Sequence, residues 1–276
     1  MMFNEIKAQD MINFYQEGKT QKEIAELLGC SQTNVSALLR HRGIKCRDRK
    51  DVFKNQKYMD TNTSFFKKIN SEASAYFLGF LYADGNIQIK NNAYCVTLKL
   101  KSNDQYIIEK FRDIMSPSSS VKITQNKNYP NTYSYFRVNQ KEVCEQLISH
   151  GCMPNKSLIL EFPTTVPNEL IHHFLRGYSD GDGCIYQNHF KNKKTVNTIW
   201  KIISTKQFCG QVAKILKEQL DINCSQSLSR PQTNKITTVL SVGGNLQVRK
   251  VLDCLYQDAT VYLPRKHEKY LEFIKS

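Results

Sequence analysis

The chain has 276 residues, with 39 Lys and Arg against 25 Asp and Glu, for a formal net charge of +14. This length suits about two domains, and an apolar fraction of 40% excludes a wholly disordered chain. No apolar run reaches the roughly 18 residues of a membrane span, and the N-terminus lacks a signal-peptide pattern, so we expect a cytoplasmic protein. The excess positive charge favours a polyanionic partner such as nucleic acid.

Nine cysteines are scattered along the chain and never spaced C-x-x-C. In a reducing compartment such residues are small buried hydrophobes. The spacing supports neither a zinc ribbon nor a disulfide framework.

The first 44 residues predict a compact unit of three helices. The first helix spans Ile6 to Tyr15, Thr20 with Glu23 forms a capping box that opens the second, and Ser31 caps the third. Apolar residues three and four apart would pack the last two helices together in helix-turn-helix geometry. The segment resembles the DNA-binding domains of site-specific recombinases and many regulators. That resemblance implies that the third helix enters the major groove and presents Gln32, Thr33, Asn34, Ser36 and Arg40.

A basic segment follows this unit. From Arg40 to Lys57 eight basic residues stand against two acids, and no apolar periodicity runs through them. We predict that residues 45–65 form a tether that follows the phosphate backbone without reading bases. Its expected contacts, with the end of the preceding unit, are Arg42, Lys45, Arg47 and Arg49.

The rest of the chain contains an internal repeat. FLGFLYADG (77–85) recurs as LRGYSDGDG (175–183), and the runs VTLKLKSND and IWKIISTKQ follow at matching places. Each half predicts the order αββαββα, so we expect an α+β fold with halves at 66–168 and 169–276. Two similar halves imply a pseudo-twofold axis, which duplex DNA also has at a cleavage site.

Each repeat motif predicts a buried helix with a stripe of small residues. Gly79 recurs as Gly177 and would let the two helices pack closely. Gly85 and Gly183, which end the motifs, are expected to be left-handed helix C-caps.

Asp84 and Asp182 are the anomaly of these motifs. A carboxylate is disfavoured at the negative C-terminal end of a helix, and the two would repel each other if the helices pair. Protonation or a shared cation would relieve the repulsion. Oxygen ligands without nearby His or Cys favour Mg²⁺ over zinc.

Both motifs resemble the signature motifs of single-chain LAGLIDADG homing endonucleases, and the likeness covers about residues 66–276. The resemblance implies two α/β halves that meet at the motif helices, with saddle-shaped antiparallel sheets that read the major groove. It implies a monomer that cleaves both strands of double-stranded DNA, with Mg²⁺ as cofactor and Mn²⁺ able to substitute. The implied metal ligands are Asp84 and Asp182, with the carbonyls of Ala83 and Gly181.

The resemblance also implies residues outside the motifs. A basic residue in the loop before each terminal helix corresponds to Lys156 and Lys266, which would stabilise charge on the phosphate. Ser102 and Thr205 correspond to water-positioning residues at strand ends. The sheet residues expected to contact DNA include Lys99, Lys101 and Arg137.

One position departs from the family pattern. Tyr82 stands where the motif has its first acid, whereas the second copy keeps Asp180. That position is not the metal ligand.

Other functions stay open. The same fold serves RNA maturases that assist intron splicing, and a DNA-binding regulator with a decayed centre is a second alternative that the presence of both acids argues against. An intein nuclease is disfavoured because LEFIKS lacks a His-Asn terminus. An HNH nuclease built on His172-His173 and Asn188-His189 is weaker still, because these residues flank the buried helix. The host element would be prokaryotic, phage or organellar.

Overall fold

The computed structural model describes residues 5–47, 60–125, 131–189, 196–229 and 237–275, without the side chains of residues 188 and 189. The chain divides into two compact units, residues 1–61 and 62–276. Within the described ranges no helix has the length and apolarity needed to cross a bilayer. All nine cysteines are free thiols.

Between residues 5 and 47, unit 1 contains the three predicted helices, α1 (Glu5–Gln16), α2 (Gln21–Leu27) and α3 (Gln32–His41). The predicted capping box is present: Thr20 Oγ1 accepts from the Glu23 amide at 3.2 Å, and Glu23 Oε2 accepts from the Thr20 amide at 2.7 Å. Ser31 Oγ accepts from the Asn34 amide and caps α3. The helices enclose a small apolar core that includes Met11, Ile24, Val35 and Leu39.

Arg47 belongs to the fold of unit 1. Its guanidinium donates to the carbonyls of Tyr15 (2.8 Å), Gly18 (2.9 Å) and Lys19 (2.6 Å), and lies 4.2 Å from the centre of the Tyr15 ring. These contacts give Arg47 a structural role within unit 1, and its predicted contact with the phosphate backbone stays a prediction. Arg49 and the rest of the predicted tether up to residue 59 lie outside the described residues.

Unit 2 has two halves with the same order of elements, and the αββαββα prediction is confirmed for both. The first half contains α4 (Glu72–Asp84), β1 (Gly85–Lys90), β2 (Ala93–Lys101), α5 (Gln105–Met115), β3 (Lys122–Gln125), β4 (Thr132–Val138) and α6 (Lys141–Ser149). The second contains α7 (Ile171–Asp182), β5 (Gly183–His189), β6 (Val196–Ser204), α8 (Lys206–Leu220), β7 (Ser225–Leu228), β8 (Thr238–Gly243) and α9 (Asn245–Tyr256). An additional helix, α10 (Pro264–Lys275), follows the second half.

Each half has one four-stranded antiparallel sheet, in the order β1-β2-β4-β3 and β5-β6-β8-β7. One face of each sheet lies in the core. In β2 the side chains of Val96 and Leu98 are buried, and in β6 those of Trp200 and Ile202 are buried. The opposite face of each sheet faces solvent, as expected for antiparallel strands.

The strand registers correct the predicted alignment of the two halves by one residue. Gly85 pairs with Leu98, and the equivalent Gly183 pairs with Ile202. The sequence alignment of VTLKLKSND with IWKIISTKQ places Leu98 opposite Lys201, one residue earlier. A one-residue shift moves every side chain to the opposite face of a sheet. Leu98 and Ile202 are therefore the equivalent residues.

Helices α4 and α7 pack at very close range along the predicted stripe. A Cβ atom on Gly79 would lie 2.0 Å from the Phe174 carbonyl oxygen, and one on Gly177 would lie 2.0 Å from the Tyr76 carbonyl oxygen. Phe174 and Tyr76 are equivalent positions of the repeat, so the contact is reciprocal about a pseudo-twofold axis. The prediction of a close helix pair is confirmed.

The predicted left-handed C-caps are wrong. Gly85 (φ −71°, ψ 145°) and Gly183 (φ −94°, ψ 165°) are extended, because each chain passes directly from its helix into a strand. A Cβ atom on Gly85 would lie 2.5 Å from the Leu81 carbonyl oxygen, and one on Gly183 would lie 2.4 Å from that of Ser179. These positions need glycine for close approach to the preceding turn, and not for a positive φ.

Candidate active site

The last residues of the two paired helices bring two carboxylates to one end of the pseudo-twofold axis. Asp84 ends α4 and Asp182 ends α7. A Cβ atom on Gly181 would lie 2.3 Å from the Ala83 Cβ and 2.9 Å from Asp84 Oδ2. The Asp84 carboxylate therefore lies against the last turn of the helix that carries Asp182.

The electrostatics of this pair are unfavourable. Although the Asp84 side chain is exposed to solvent, desolvation by the surrounding protein and then the negative charge of Asp182 raise its pKa to about 6. Desolvation likewise raises the pKa of Asp182, whose side chain is also exposed. The positive charges of Lys156 and Lys266 act in the opposite direction on both acids. The site therefore holds two acids whose ionised forms need cationic neighbours.

The two predicted lysines lie at the ends of the motif helices. Lys266 Nζ donates to the carbonyls of Ser179 (2.5 Å), Asp180 (2.7 Å) and Gly183 (2.7 Å). Lys156 Nζ donates to the carbonyl of Gly85, the equivalent of Gly183. Each lysine thus binds backbone carbonyls where a motif helix passes into its strand and places positive charge at the negative end of the helix dipole.

The surroundings of Lys266 differ from the prediction in one respect. The residue lies in the first turn of α10 and not in a loop before it, and its side chain is buried. Burial lowers the pKa of Lys266 to about 8. All three of its N–H groups are used by backbone carbonyls, so Lys266 acts on the site through its charge.

A cavity of about 240 Å³ opens beside Asp182. Its lining includes Asp182, Ala83, Lys156 and Ser204. Neither predicted water-positioning residue lines this cavity. Ser204, which the sequence reasoning missed, does line it, because Ser204 lies on the same buried face of β6 as Trp200 and Ile202.

The two predicted water-positioning residues have other partners. The Thr205 hydroxyl donates to the Leu160 carbonyl (2.5 Å) and accepts from the Phe208 amide (3.1 Å), so it caps α8. Ser102 begins a single 3₁₀ turn after β2 and accepts from Ser134 Oγ at 3.3 Å. Since Leu98 and Ile202 are equivalent, Ser102 and Thr205 are not equivalent residues.

The donor atoms of the site fit a hard divalent cation. Asp84 and Asp182 supply carboxylate oxygens, and Ala83 and Gly181 could add carbonyl oxygens from the same helix ends. No group of three or more His, Cys, Asp or Glu side chains that could hold a metal ion occurs in the part of the chain that the structure describes. An oxygen-only donor set suits Mg²⁺ or Mn²⁺ and not zinc.

Comparison with known proteins identifies the fold of the chain through solved structures. No family model matches the sequence, and no curated protein matches it. The LAGLIDADG homing endonuclease I-GzeII, solved in complex with its DNA target, superposes with a TM-score of 0.50 at 13% identity, over 73% of this chain and 88% of that chain. The meganuclease I-SmaMI, solved on uncleavable DNA, also superposes with a TM-score of 0.50, at 11% identity over 73% and 88% of the two chains.

The chain has the LAGLIDADG fold. The shared architecture is the pair of αββαββα halves with two four-stranded antiparallel sheets.

Behind the carboxylates, this LAGLIDADG fold contains a buried acid that joins its halves. Asp180 is fully buried and accepts from Tyr76 Oη (2.8 Å), Tyr256 Oη (2.6 Å) and the Leu263 amide (2.7 Å). Tyr76 lies on α4 of the other half. Tyr82, at the equivalent position of α4, is instead a donor to the His150 carbonyl. The signal in the sequence is an acid inside an apolar helix, which requires such donors.

Two ion pairs also join the halves, and the sequence reasoning missed both. The fully buried Arg176 of α7 donates to Glu72 Oε1 of α4 at 2.5 Å. Arg265 donates to Asp104 at 2.9 Å, from the residue next to Lys266 to the 3₁₀ turn after β2. The second pair holds the start of α10 against the first half.

The remaining predicted residues lie as follows. On the sheet of the first half, Lys99, Lys101 and Arg137 are exposed, as expected. In unit 1 most side chains predicted to contact DNA are exposed, among them Gln32, Thr33, Asn34, Arg40 and Lys45. Ser36 is half-buried, and Arg42 forms an ion pair with Glu5. His172 and His173 lie in the first turn of α7, at the opposite end from Asp182.

Proposed function

We propose that the protein is a site-specific endonuclease that cleaves both strands of double-stranded DNA with a divalent metal ion. The observation that carries this proposal is the meeting of Asp84 and Asp182, one from each half, at the end of a reciprocal helix pair. Two equivalent acids related by a pseudo-twofold axis match the two strands of a duplex. The LAGLIDADG fold of DNA-bound endonucleases supports the same reading.

The residues have distinct roles in this proposal. Asp84 and Asp182, with the carbonyls of Ala83 and Gly181, hold Mg²⁺, for which Mn²⁺ can substitute. The ion supplies Lewis-acid polarisation of the scissile phosphate and neutralises developing negative charge. Lys156 and Lys266 keep both helix ends in place and maintain positive charge beside the acids.

The cavity beside Asp182 provides room for the attacking water. Ser204 lines it together with Lys156, and we assign to the Ser204 hydroxyl the positioning role that the sequence assigned to Ser102 and Thr205. A hydroxyl can both donate to and accept from a water, so it can orient the nucleophile.

Unit 1 adds a second DNA contact. Helix α3 is capped by Ser31 and presents exposed polar side chains at its N-terminal end, as a recognition helix does. Tethering this unit to the nuclease unit raises the effective concentration of each for the same DNA. The chain carries both halves and therefore acts as a monomer.

The proposal is tested by presenting the purified chain with a randomised duplex library and Mg²⁺, and sequencing the cleaved ends. We expect one enriched site, cut on both strands to leave 5′-phosphate and 3′-hydroxyl ends with a short 3′ overhang, and no cutting in EDTA. Absence of duplex cleavage together with protein-dependent splicing of an intron RNA would contradict the proposal and favour a maturase.

A further inference from the structure

The solvent face of the first-half sheet is strongly cationic. Residues that pair across neighbouring strands point to the same face of the sheet. Arg137 pairs with Thr97, and Tyr135 pairs with both Lys99 and Lys122, so all of these residues lie on one surface. We call this surface the basic face. It includes five cations and, among the described residues, no acid: Lys90, Lys99, Lys101, Lys122 and Arg137.

Aromatic rings hold two of these cations on the surface. Lys99 Nζ lies 4.9 Å from the centre of the Tyr133 ring, and the Arg137 guanidinium lies 5.0 Å from that of Tyr135. Cation–π contacts restrict the motion of long side chains without burying their donors. The cations are thus oriented for a partner above the sheet.

The corresponding face of the second-half sheet has different chemistry. Ile199 pairs with Tyr186, Ile203 with Val239, and Lys201 with Ser241. We call this surface the apolar face. Its sole cation among the described residues is Lys201, and Ile203 is 38% exposed.

The corrected register shows that the difference arises position by position. With Leu98 equivalent to Ile202, Lys99 corresponds to Ile203, and Arg137, the partner of Thr97, corresponds to Ser241, the partner of Lys201. An apolar or hydroxyl side chain stands at four of the five places where the basic face has a cation, namely Ile203, Thr205, Ser227 and Ser241. The fifth cation, Lys90, corresponds to Asn188. Lysines at 191, 193 and 194 lie outside the described residues, and the comparison concerns the strands alone.

These side chains select different base edges. Arg and Lys donate to O6 and N7 of guanine in the major groove, whereas apolar side chains contact the C5 methyl of thymine. We infer that the DNA target is asymmetric in composition, with a guanine-containing half-site under the basic face and a thymine-rich half-site under the apolar face. This inference rests on the proposed function and names the substrate of that same surface.

Target selection tests the inference first. The full chain should enrich sites from a randomised duplex library, in Ca²⁺ or in Mg²⁺. One half of each enriched site should be rich in G·C pairs and the other half rich in A·T pairs. Two half-sites of equal composition would overturn the inference while leaving the endonuclease proposal intact. A chain that enriches no duplex would contradict both.

Methyl deletion then tests the apolar face. Replacing thymine by deoxyuridine in the A·T-rich half-site should weaken binding by about 4-fold for each contacted methyl, the value of one buried carbon group. The same replacement in the other half-site should have no effect. Equal affinity for both substituted duplexes and the unmodified one would overturn the thymine assignment.

Exchanging equivalent residues between the two sheets tests which half-site lies under which sheet. Arg137→Ser should reduce the preference for guanine at one position of the G-containing half-site by about 5- to 150-fold. Ser241→Arg should introduce a guanine preference at the symmetric position of the other half-site. If Arg137→Ser instead alters preference in the A·T-rich half, the assignment is reversed and the inference fails. Circular dichroism and a melting curve confirm that each variant is folded.

Discussion

Asp84 lies at the end of α4 with its side chain exposed to solvent, and its raised pKa means that its ionised form destabilises the folded protein when no metal ion is present. Its pKa is about 6 in the folded chain and 3.8 in an unfolded one, because of desolvation by the surrounding protein and the charge of Asp182. Above pH 6 the side chain is ionised in both states, so the folded state bears the full penalty. As the pH falls through 6, the folded state binds a proton and the penalty is relieved.

Asp84→Asn is therefore expected to stabilise the metal-free protein at pH 8, by about 1 kcal/mol or less because solvent screens the charge of an exposed carboxylate. The gain should shrink as the pH is lowered to 5. Urea unfolding in EDTA at both pH values measures it. The matched control Glu161→Gln, at an exposed acid, should change stability little at either pH. A destabilised Asp84→Asn protein at pH 8 would contradict the described electrostatics.

The sequence located the acids but not all of their neighbours. An acid at the end of a repeated apolar helix is visible in the sequence, and so is the lysine that serves each helix end. Ser204 was hidden because IWKII is apolar on both faces of its strand, so alternation does not reveal which residues face inward. Asp180 was noticed, but its three donors come from distant segments.

Helices α4 and α7 owe their proximity to glycine. The Cβ position of Gly79 is only 2.0 Å from a backbone oxygen of the other helix, which cannot move without separating the halves. Gly210 of α8 has no atom within 4 Å of its Cβ position. The two residues are thus opposite cases of a helical glycine.

Gly79→Ala should destabilise unit 2 by about 3 kcal/mol or more, the upper end of overpacking costs. Gly210→Ala should stabilise it by about 0.5–1 kcal/mol, because alanine loses less backbone entropy in a helix. Thermal unfolding of both variants beside the wild type makes the comparison. Equal melting temperatures for the two variants would contradict the close helix pair.

At the scale of elements, the sequence predicted the order and the helix pair because periodicity and small residues are local signals. The sequence-based prediction was wrong at Gly85 and Gly183, because an Asp-Gly pair at a helix end is compatible with two structures. One is a left-handed C-cap, and the other is a direct passage from the helix into a strand. The prediction also failed at the strand register, which depends on pairing between distant residues.

The whole molecule joins two units with separate cores, and the proposal gives each a contact with DNA. Removing a phosphate contact lowers affinity for all sequences and reduces the salt dependence of binding. Removing a base contact relaxes one position of the site. Variants in unit 1 therefore separate its role from that of the nuclease unit.

Arg40→Ala, on the exposed surface of α3, should weaken binding of the full target and reduce the slope of log K against log salt by about 1 if Arg40 contacts a phosphate. The phosphates that are cleaved should not change. Lys7→Ala removes the same charge from α1 and is the control, with a smaller effect expected. A shift of the cleavage position by Arg40→Ala would contradict independent roles for the two units.

The central claim is that the two halves place one essential acid each at a shared site. Cleavage of the selected target in Mg²⁺ by Asp84→Asn and by Asp182→Asn measures it directly, with binding followed in Ca²⁺. Each variant should lose double-strand cleavage by about 10³-fold or more, as expected for losing several kcal/mol of metal-assisted stabilisation, and should still bind the target. Glu161→Gln should cut at the wild-type rate. Undiminished cleavage by either aspartate variant would contradict the account.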